Sequence, residues 1–192
     1  MKLRHLTVVG LVLAAMVAGC ETTPKSESAA TELNKDCDAA IALFKKTDPK
    51  MEDKFFKTAV GYAVIPRVGK GGLILGGAHG KGQVYDQSGK LIGYTTLSQG
   101  SIGAQIGGQV YHEIIFFQDE NSMRSFTRGT FEFAAQATAV AAAAGASANA
   151  NYENGVAVFT VGQKGLMAEA SIGGQNFTFD DVESAQKTMA KD

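Results

Sequence analysis

Residues 61–108 read GYAVIPRVGKGGLILGGAHGKGQVYDQSGKLIGYTTLSQGSIGAQIGG and hold 14 of the 23 glycines in this chain of 192 residues. Short apolar runs alternate with the glycines: Tyr62-Ala63-Val64-Ile65, Leu73-Ile74-Leu75, Gln83-Val84-Tyr85 and Leu91-Ile92. Runs of this length bounded by turn residues signal strands. Glycine inside strands marks bulges, corners and close backbone approach. The stretch therefore predicts an α+β fold built on a curved, glycine-rich antiparallel sheet or partly closed barrel, with N-terminal helices and short helices packed on it. The expected strands are 61–66, 71–77, 80–86 and 90–96, with a turn at Asp86-Gln87-Ser88-Gly89.

These glycines do not form a phosphate loop. Gly69-Lys70 is followed by Gly71 and Gly80-Lys81 by Gly82, where a P-loop needs Ser or Thr, and Val64 and Leu75 stand where its first glycine belongs. The dinucleotide pattern G-x-G-x-x-G fails at Ile74 and Tyr85.

Downstream, residues 101–118 read as a strand with a glycine-weakened first half at Gly103, Gly107 and Gly108. Asp119 is the expected N-cap of a short helix that turns Met123 and Phe126 inward and ends at Gly129. The alanines of 131–150 favour helix by propensity. However, Phe131, Phe133, Ala135, Ala137 and Ala139 fall on alternate positions, which predicts a strand over 131–141 and a loop after it. Runs at 155–162, 165–173 and 175–179 predict a terminal meander, and Asp180 with Glu183 a capping-box-like start to a last helix ending near Ala190.

Upstream, Leu33, Cys37, Ile41 and Phe44 share one face of a helix expected over 30–47. Asp48-Pro49 then starts a second helix, with Lys50, Lys54 and Lys57 on one face and Met51, Phe55 and Ala59 on another. Two readings of that helix stand: it lies on an anionic membrane, or it packs its apolar face on the core and leaves its lysines in water. Residues 45–90 carry nine Lys/Arg against four Asp/Glu, and 91–192 five against ten. This asymmetry fits either a polarised surface that meets an anionic partner or simple solvated faces.

The N-terminus sets the expected compartment. Lys2, Arg4 and His5 precede an apolar run from Leu6 to Ala18, and Val17-Ala18-Gly19-Cys20 resembles the bacterial lipobox, in which the cysteine is lipidated and becomes the first mature residue. The expected organisation is a signal peptide at 1–19, lipidated Cys20 with a polar tether to residue 30, and a single domain over 31–192. Glu21 is not the aspartate associated with inner-membrane retention, so the expectation is an outer-membrane lipoprotein facing the periplasm, with exposure at the cell surface the other orientation. Multiple acyl chains give stable anchoring. Cleavage leaves 173 residues with 16 basic and 19 acidic side chains. Cys37 is then the one thiol left, without a partner for an internal disulfide, and its place on an apolar stripe predicts burial.

No catalytic constellation emerges. His79 and His112 lack further ligands at metal spacing, and adjacent His112 and Glu113 point to opposite faces of a strand. A triad of His79, Ser101 and Asp86 is open on composition, but no G-x-S-x-G elbow accompanies it. The chain reads as non-enzymatic, with no metal and no cofactor. A mildly acidic mature chain without a basic-aromatic motif argues against nucleic acid.

Several landmarks together carry a resemblance. They are Ala59-x-Gly61, Pro66, the series Gly71-Gly72…Gly76-Gly77…Gly80-x-Gly82, Gly100-Ser101-x-Gly103-x-Gln105-x-Gly107, Phe126, and the run from Gly165-Leu166 to Gly173. Residues 59–181 resemble a SYLF domain, a lipid-binding module of bacterial lipoproteins and of eukaryotic actin-regulating proteins. The resemblance implies a non-enzymatic α+β domain that binds membrane phospholipid. Eukaryotic members use a basic amphipathic N-terminal segment for this; here the corresponding candidates are Lys45, Lys46, Lys50, Lys54 and Lys57, with Glu52 and Asp53 among them, and Arg67 and Lys70 extend the set. Actin binding does not carry over to a periplasmic protein. The other function open to the chain is an envelope structural or protein-interaction lipoprotein whose lipid contact comes from its anchor alone.

Overall fold

The structure is a computed structural model that describes residues 22–72, 75–102, 109–129, 131–134, 137–162 and 170–190. The signal peptide, Cys20, and the landmarks at 103–107 and 165–169 lie outside the described residues. The helix α1 (Glu27–Thr47) starts at Ser26, whose hydroxyl accepts from the Ala29 N–H. A π-helical turn (Glu52–Phe56) follows. Then come β1 (Gly61–Gly72), β2 (Leu75–Asp86), β3 (Leu91–Ile102), β4 (Gln109–Phe117), α2 (Glu120–Thr127), β5 (Thr138–Ala141), α3 (Ala146–Asn149), β6 (Val156–Gly162), β7 (Ala170–Ser171), β8 (Gln175–Asp181) and α4 (Val182–Met189).

The strand order is β7-β5-β6-β4-β1-β2-β3-β8. The sheet is open and mixed: its ladders are antiparallel except β5 with β6, which is parallel. This corrects the expectation of a purely antiparallel sheet, while the α+β class holds. Curvature follows from one measurement. Strands β4 and β8 stand four places apart in the order, about 19 Å in a flat sheet. Yet the Gln175 side chain on β8 donates to the Glu113 carboxylate on β4 at 3.2 Å. The sheet therefore curls until these strands face each other across its concave side.

Two apolar clusters fill the two faces. Inside the curl lie Ala63, Ile65, Val68, Leu97, Tyr111, Ile115, Phe117 and Phe177, closed at one end by Phe126 of α2. On the outer face Cys37, Phe44, Met51 and Phe55 of the helical layer pack on Tyr62, Val64, Tyr85, Ile114, Phe116 and Phe159. Phe55 sits centrally, its ring 4.9 Å from Phe159 and 5.3 Å from Phe116. Glycine has a direct steric purpose at Gly82, where a Cβ would lie 2.2 Å from the Val64 carbonyl oxygen. At Gly89, φ of +80° closes the β2–β3 turn, with the Asp86 carboxylate accepting from the Ser88 and Lys90 N–H groups.

Several boundaries differ from the sequence reading. The expected break between 61–66 and 71–77 does not exist, because β1 continues through Pro66: the ladder to β4 shifts register between Ile65 and Val68, a bulge that accommodates the missing N–H. The strand expected over 131–141 is confined to Thr138–Ala141. Its earlier part meets β8 instead, through the bridge Glu132–Asn176 and the bond from Phe133 N–H to Gln175 O, because the chain here crosses from β8 to β6; 135–136 lie outside the description. The loop expected after it contains α3. The second helix is only the π-helical turn, in which consecutive Phe55 and Phe56 both bury. The last helix is capped by Asp181, not Asp180, which stays paired in β8 and accepts from the Thr23 hydroxyl at 2.8 Å.

Candidate functional site: the polar interior and its cleft

The basic residues anticipated from the sequence do not form one patch. Lys46 and Lys50 are exposed. Lys45 pairs with Glu52 at 2.8 Å and lies over the Phe56 ring, and Lys57 pairs with Asp53. Lys54 donates to the Ala148 carbonyl at 2.9 Å and also to Ala150 O, tying the π-helical turn to the end of α3. Arg67 faces Asp36 at 3.6 Å. Asp36 precedes Lys45 by nine helical residues, about 14 Å along α1, so Arg67 stands apart from the lysines. Lys70 is buried. The bulge after Ile65 changes the phase of β1, so Val68 and Lys70 turn inward and Arg67 outward, the reverse of uninterrupted alternation.

Inward Lys70 acts through its charge on an interior polar cluster that the sequence reading missed. Glu113 and Thr160 are directly opposite on β4 and β6, Gln99 and Gln175 directly opposite on β3 and β8. Glu113, Thr160 and Gln175 are fully buried, and Gln99 is 8% exposed. Gln175 Nε2 reaches both Glu113 Oε2 and, at 3.4 Å, the Tyr111 hydroxyl, while Gln99 Nε2 donates to Gly173 O at 2.7 Å. Burial pushes the Glu113 carboxyl up to about 8, against the opposing pull of the Gln175 hydrogen bond and the Lys70 charge. The signal for Glu113 was present in the sequence: it is the one carboxylate in Val110-Tyr111-His112-Glu113-Ile114-Ile115-Phe116-Phe117, in phase with Tyr111, Ile115 and Phe117. Gln99, Thr160 and Gln175 gave no such signal, since only the curl brings their strands together.

A cleft of about 490 Å³ opens beside this interior, between the 131–141 segment and β6. Phe133, Ala139, Val158 and Ile172 line it and also belong to the inner apolar cluster, while Asn149, Asn151 and Asn154 stand among its polar lining. Its outer wall passes through Asn149 to Asn151, the segment Lys54 holds. The size falls within the usual range for small-molecule sites.

The proposed His79–Ser101–Asp86 triad does not assemble. His79 and Asp86 lie seven residues apart on the same strand, about 23 Å. His112 contacts the Pro66 carbonyl through Nδ1; burial first, and then the Arg67 charge, lower its pKa against the pull of that contact and of Asp36. Among the described residues no group of three or more His, Cys, Asp or Glu is placed to hold a metal, and no helix is long and apolar enough to cross a membrane.

A curled sheet in an α+β fold, with a helical layer on its outer face and buried polar residues among its inner apolar ones, defines the class of this protein. Residues 98–186 match the family described as "Ysc84: Las17-binding protein actin regulator". Beta cell expansion factor A of Aeromonas veronii is 28% identical over 158 residues, which are 82% of this chain and 60% of that protein. The chain thus spans about 60% of the length of this curated relative. The matched segment holds the landmarks from Gly100 onward, and both matches are to the Ysc84/SYLF-domain family that the sequence resembles.

Proposed function

We propose that this protein is a non-enzymatic, lipid-anchored envelope protein whose SYLF-type domain binds phospholipid. The observation that carries the reading is the cleft: it joins an apolar lining continuous with the core to a polar margin, the arrangement an amphiphile requires. Lys46, at the end of α1, and Lys50, four residues before Lys54, are exposed, and they supply charge toward phosphate groups. The lipobox-like Val17-Ala18-Gly19-Cys20 would keep the domain at a bilayer, outer-membrane bound and facing the periplasm.

Vesicle flotation tests this. The chain from residue 22, exported behind a non-lipoprotein signal, is expected to float with phosphatidylglycerol vesicles at low salt and to lose binding as salt rises. Reversing both Lys46→Glu and Lys50→Glu removes about 1 kcal/mol per lysine near the surface, an affinity loss of at least about thirtyfold. A wild-type domain that stays at the bottom of the gradient refutes phospholipid binding and leaves a protein-interaction role.

A further inference from the structure

Residues 22–26 are not the free tether expected from the sequence. Thr22 is 6% exposed and Thr23 2%, and Pro24 is buried. The Thr22 hydroxyl is hydrogen-bonded to the Thr178 hydroxyl. The Thr23 hydroxyl donates to the Asp180 carboxylate at 2.8 Å, and Lys81 Nζ donates to Thr23 O at 3.5 Å. Thr178 on β8 stands opposite Thr96 on β3, and Thr96 opposite Lys81 on β2. The segment therefore lies on the outer surface of these three strands before Ser26 caps α1.

This docking shortens the reach of an anchor. Cys20 is two residues before Thr22, and two residues span at most about 7 Å. A free coil from 20 to 30 has an average span of about 17 Å. An acyl group on Cys20 thus enters a bilayer close beside β8.

Charge selects the part of the sheet that meets that bilayer. One end of the sheet lies where β1 leads to β2, β3 to β4 and β6 to β7. Its described residues, 69–72, 75–78, 99–102, 109–111 and 170–175, include no Asp or Glu, and their one lysine, Lys70, is buried. Val110 there is a large apolar side chain left 38% exposed. Glu132, bridged to Asn176, stands level with Ser98, four residues and about 13 Å back from Ile102. The other end of the sheet carries Asp86, Asp119, Glu120, Glu153, Asp181 and Glu183. Carboxylates are costly to desolvate and are repelled by anionic lipid, so the bilayer takes the uncharged end. The strap agrees in direction: Thr22 sits at Thr178 and Thr23 at Asp180, so it runs along β8 from the Asn176 side.

We propose that residues 22–26 form a strap that orients the domain on the bilayer holding its anchor. The outer face of β3 and β8 at Ser98 and Asn176, with the uncharged sheet end beyond, is turned to the lipid head groups. The proposal rests on the reading of Cys20 as lipidated and goes beyond it in fixing a face. Lys46 and Lys50 lie toward the opposite end: Phe56 of the π-helical turn packs on Tyr62, ten residues and about 33 Å from Gly72 along β1. They serve phosphate groups other than those at the strap.

The test uses the full lipoprotein in vesicles of phosphatidylethanolamine and phosphatidylglycerol, with and without bromine on the acyl chains to quench Trp. The chain has no Trp, so Ser98→Trp and Gln87→Trp each place a single reporter at an exposed position. Gln87 lies beyond Leu91, which is seven residues and about 23 Å from Ser98 along β3. Bromine is expected to lower the emission of Ser98→Trp and to leave that of Gln87→Trp unchanged. Ten Gly and Ser residues inserted between Glu21 and Thr22 keep the strap docked but release the domain, and should abolish the loss. Equal quenching at both positions, or at Gln87 alone, overturns the orientation. Quenching at neither shows a domain held off the bilayer and overturns it as well, and a loss that survives the insertion overturns the role of the strap. The mass of the mature chain is read alongside: absence of acyl groups on Cys20 refutes the anchored reading and this one together, whereas an acylated chain with the wrong quenching refutes the orientation alone.

Discussion

Replacing Glu113 by glutamine should change how the stability of this protein depends on pH. Gln has nearly the shape of a protonated Glu and can still accept from Gln175 through its amide oxygen, but it cannot ionise. Glu113 is buried without surface exposure, and burial raises its pKa from 4.5 to about 8 in the folded state. Between those values the folded chain holds a proton that the unfolded chain has released. Folding stability from this group is therefore fully present below the unfolded value and falls as pH rises through the window, by about 1.4 kcal/mol per pH unit and about 5 kcal/mol in total. Above about 8 both states are ionised and the loss is complete. Urea unfolding of wild type and Glu113→Gln across a pH series isolates the effect, because every other titrating group is common to both. The variant should gain on the wild type steadily through the window, and their difference should flatten at either end. Curves that stay parallel throughout would show that Glu113 titrates normally and that its carboxyl is not buried within the curl.

Gly82→Ala places a Cβ 2.2 Å from the Val64 carbonyl oxygen and should destabilise by about 1–3 kcal/mol in urea titration, whereas Gly100→Ala meets nothing within 4 Å and should be near neutral. Asp48 is fully buried and its carboxylate accepts from the N–H groups of Ser147 at 2.6 Å and Gly145 at 3.2 Å. Although burial alone would raise its pKa, these bonds hold it below the usual value. Asp48→Ala should cost about 1–3 kcal/mol through the unmet donors, seen as a lowered urea midpoint. The Cys37 thiol is buried, with its pKa pushed up to about 12 by burial first. It should resist thiol reagents in the folded chain and react at once in denaturant, and fast labelling of native protein would contradict the packing of α1 on the sheet.

The local features were legible because local residues cause them. Asp119 caps α2, with its side chain accepting from Asn121 and Ser122 N–H groups, because a short acceptor before a helix meets donors two and three residues on. Gly129, at φ +66°, follows the helix for an equally local reason. The Asp86–Gly89 turn and the burial of Cys37 were likewise readable from neighbours or from one helical face. Asp48 shows where that reach ends. It follows α1 as a cap-type residue should, but its carboxylate meets Ser147, 99 residues away.

By itself the sequence determined the α+β class, the glycine-permitted curvature, the Asp119 cap and the resemblance to the SYLF-domain family, since each rests on short-range sterics, periodicity or spacing. The tertiary structure alone decided which polar residues meet. A single bulge at Pro66 reverses the phase of β1 and sends Lys70 inside, away from the lysines it accompanies in sequence. The curl of the sheet carries Gln175 across to Glu113, and the crossing of 131–141 from β8 to β6 opens the cleft. Strand phase and closure depend on the register of partners far along the chain, and no local pattern contains that register.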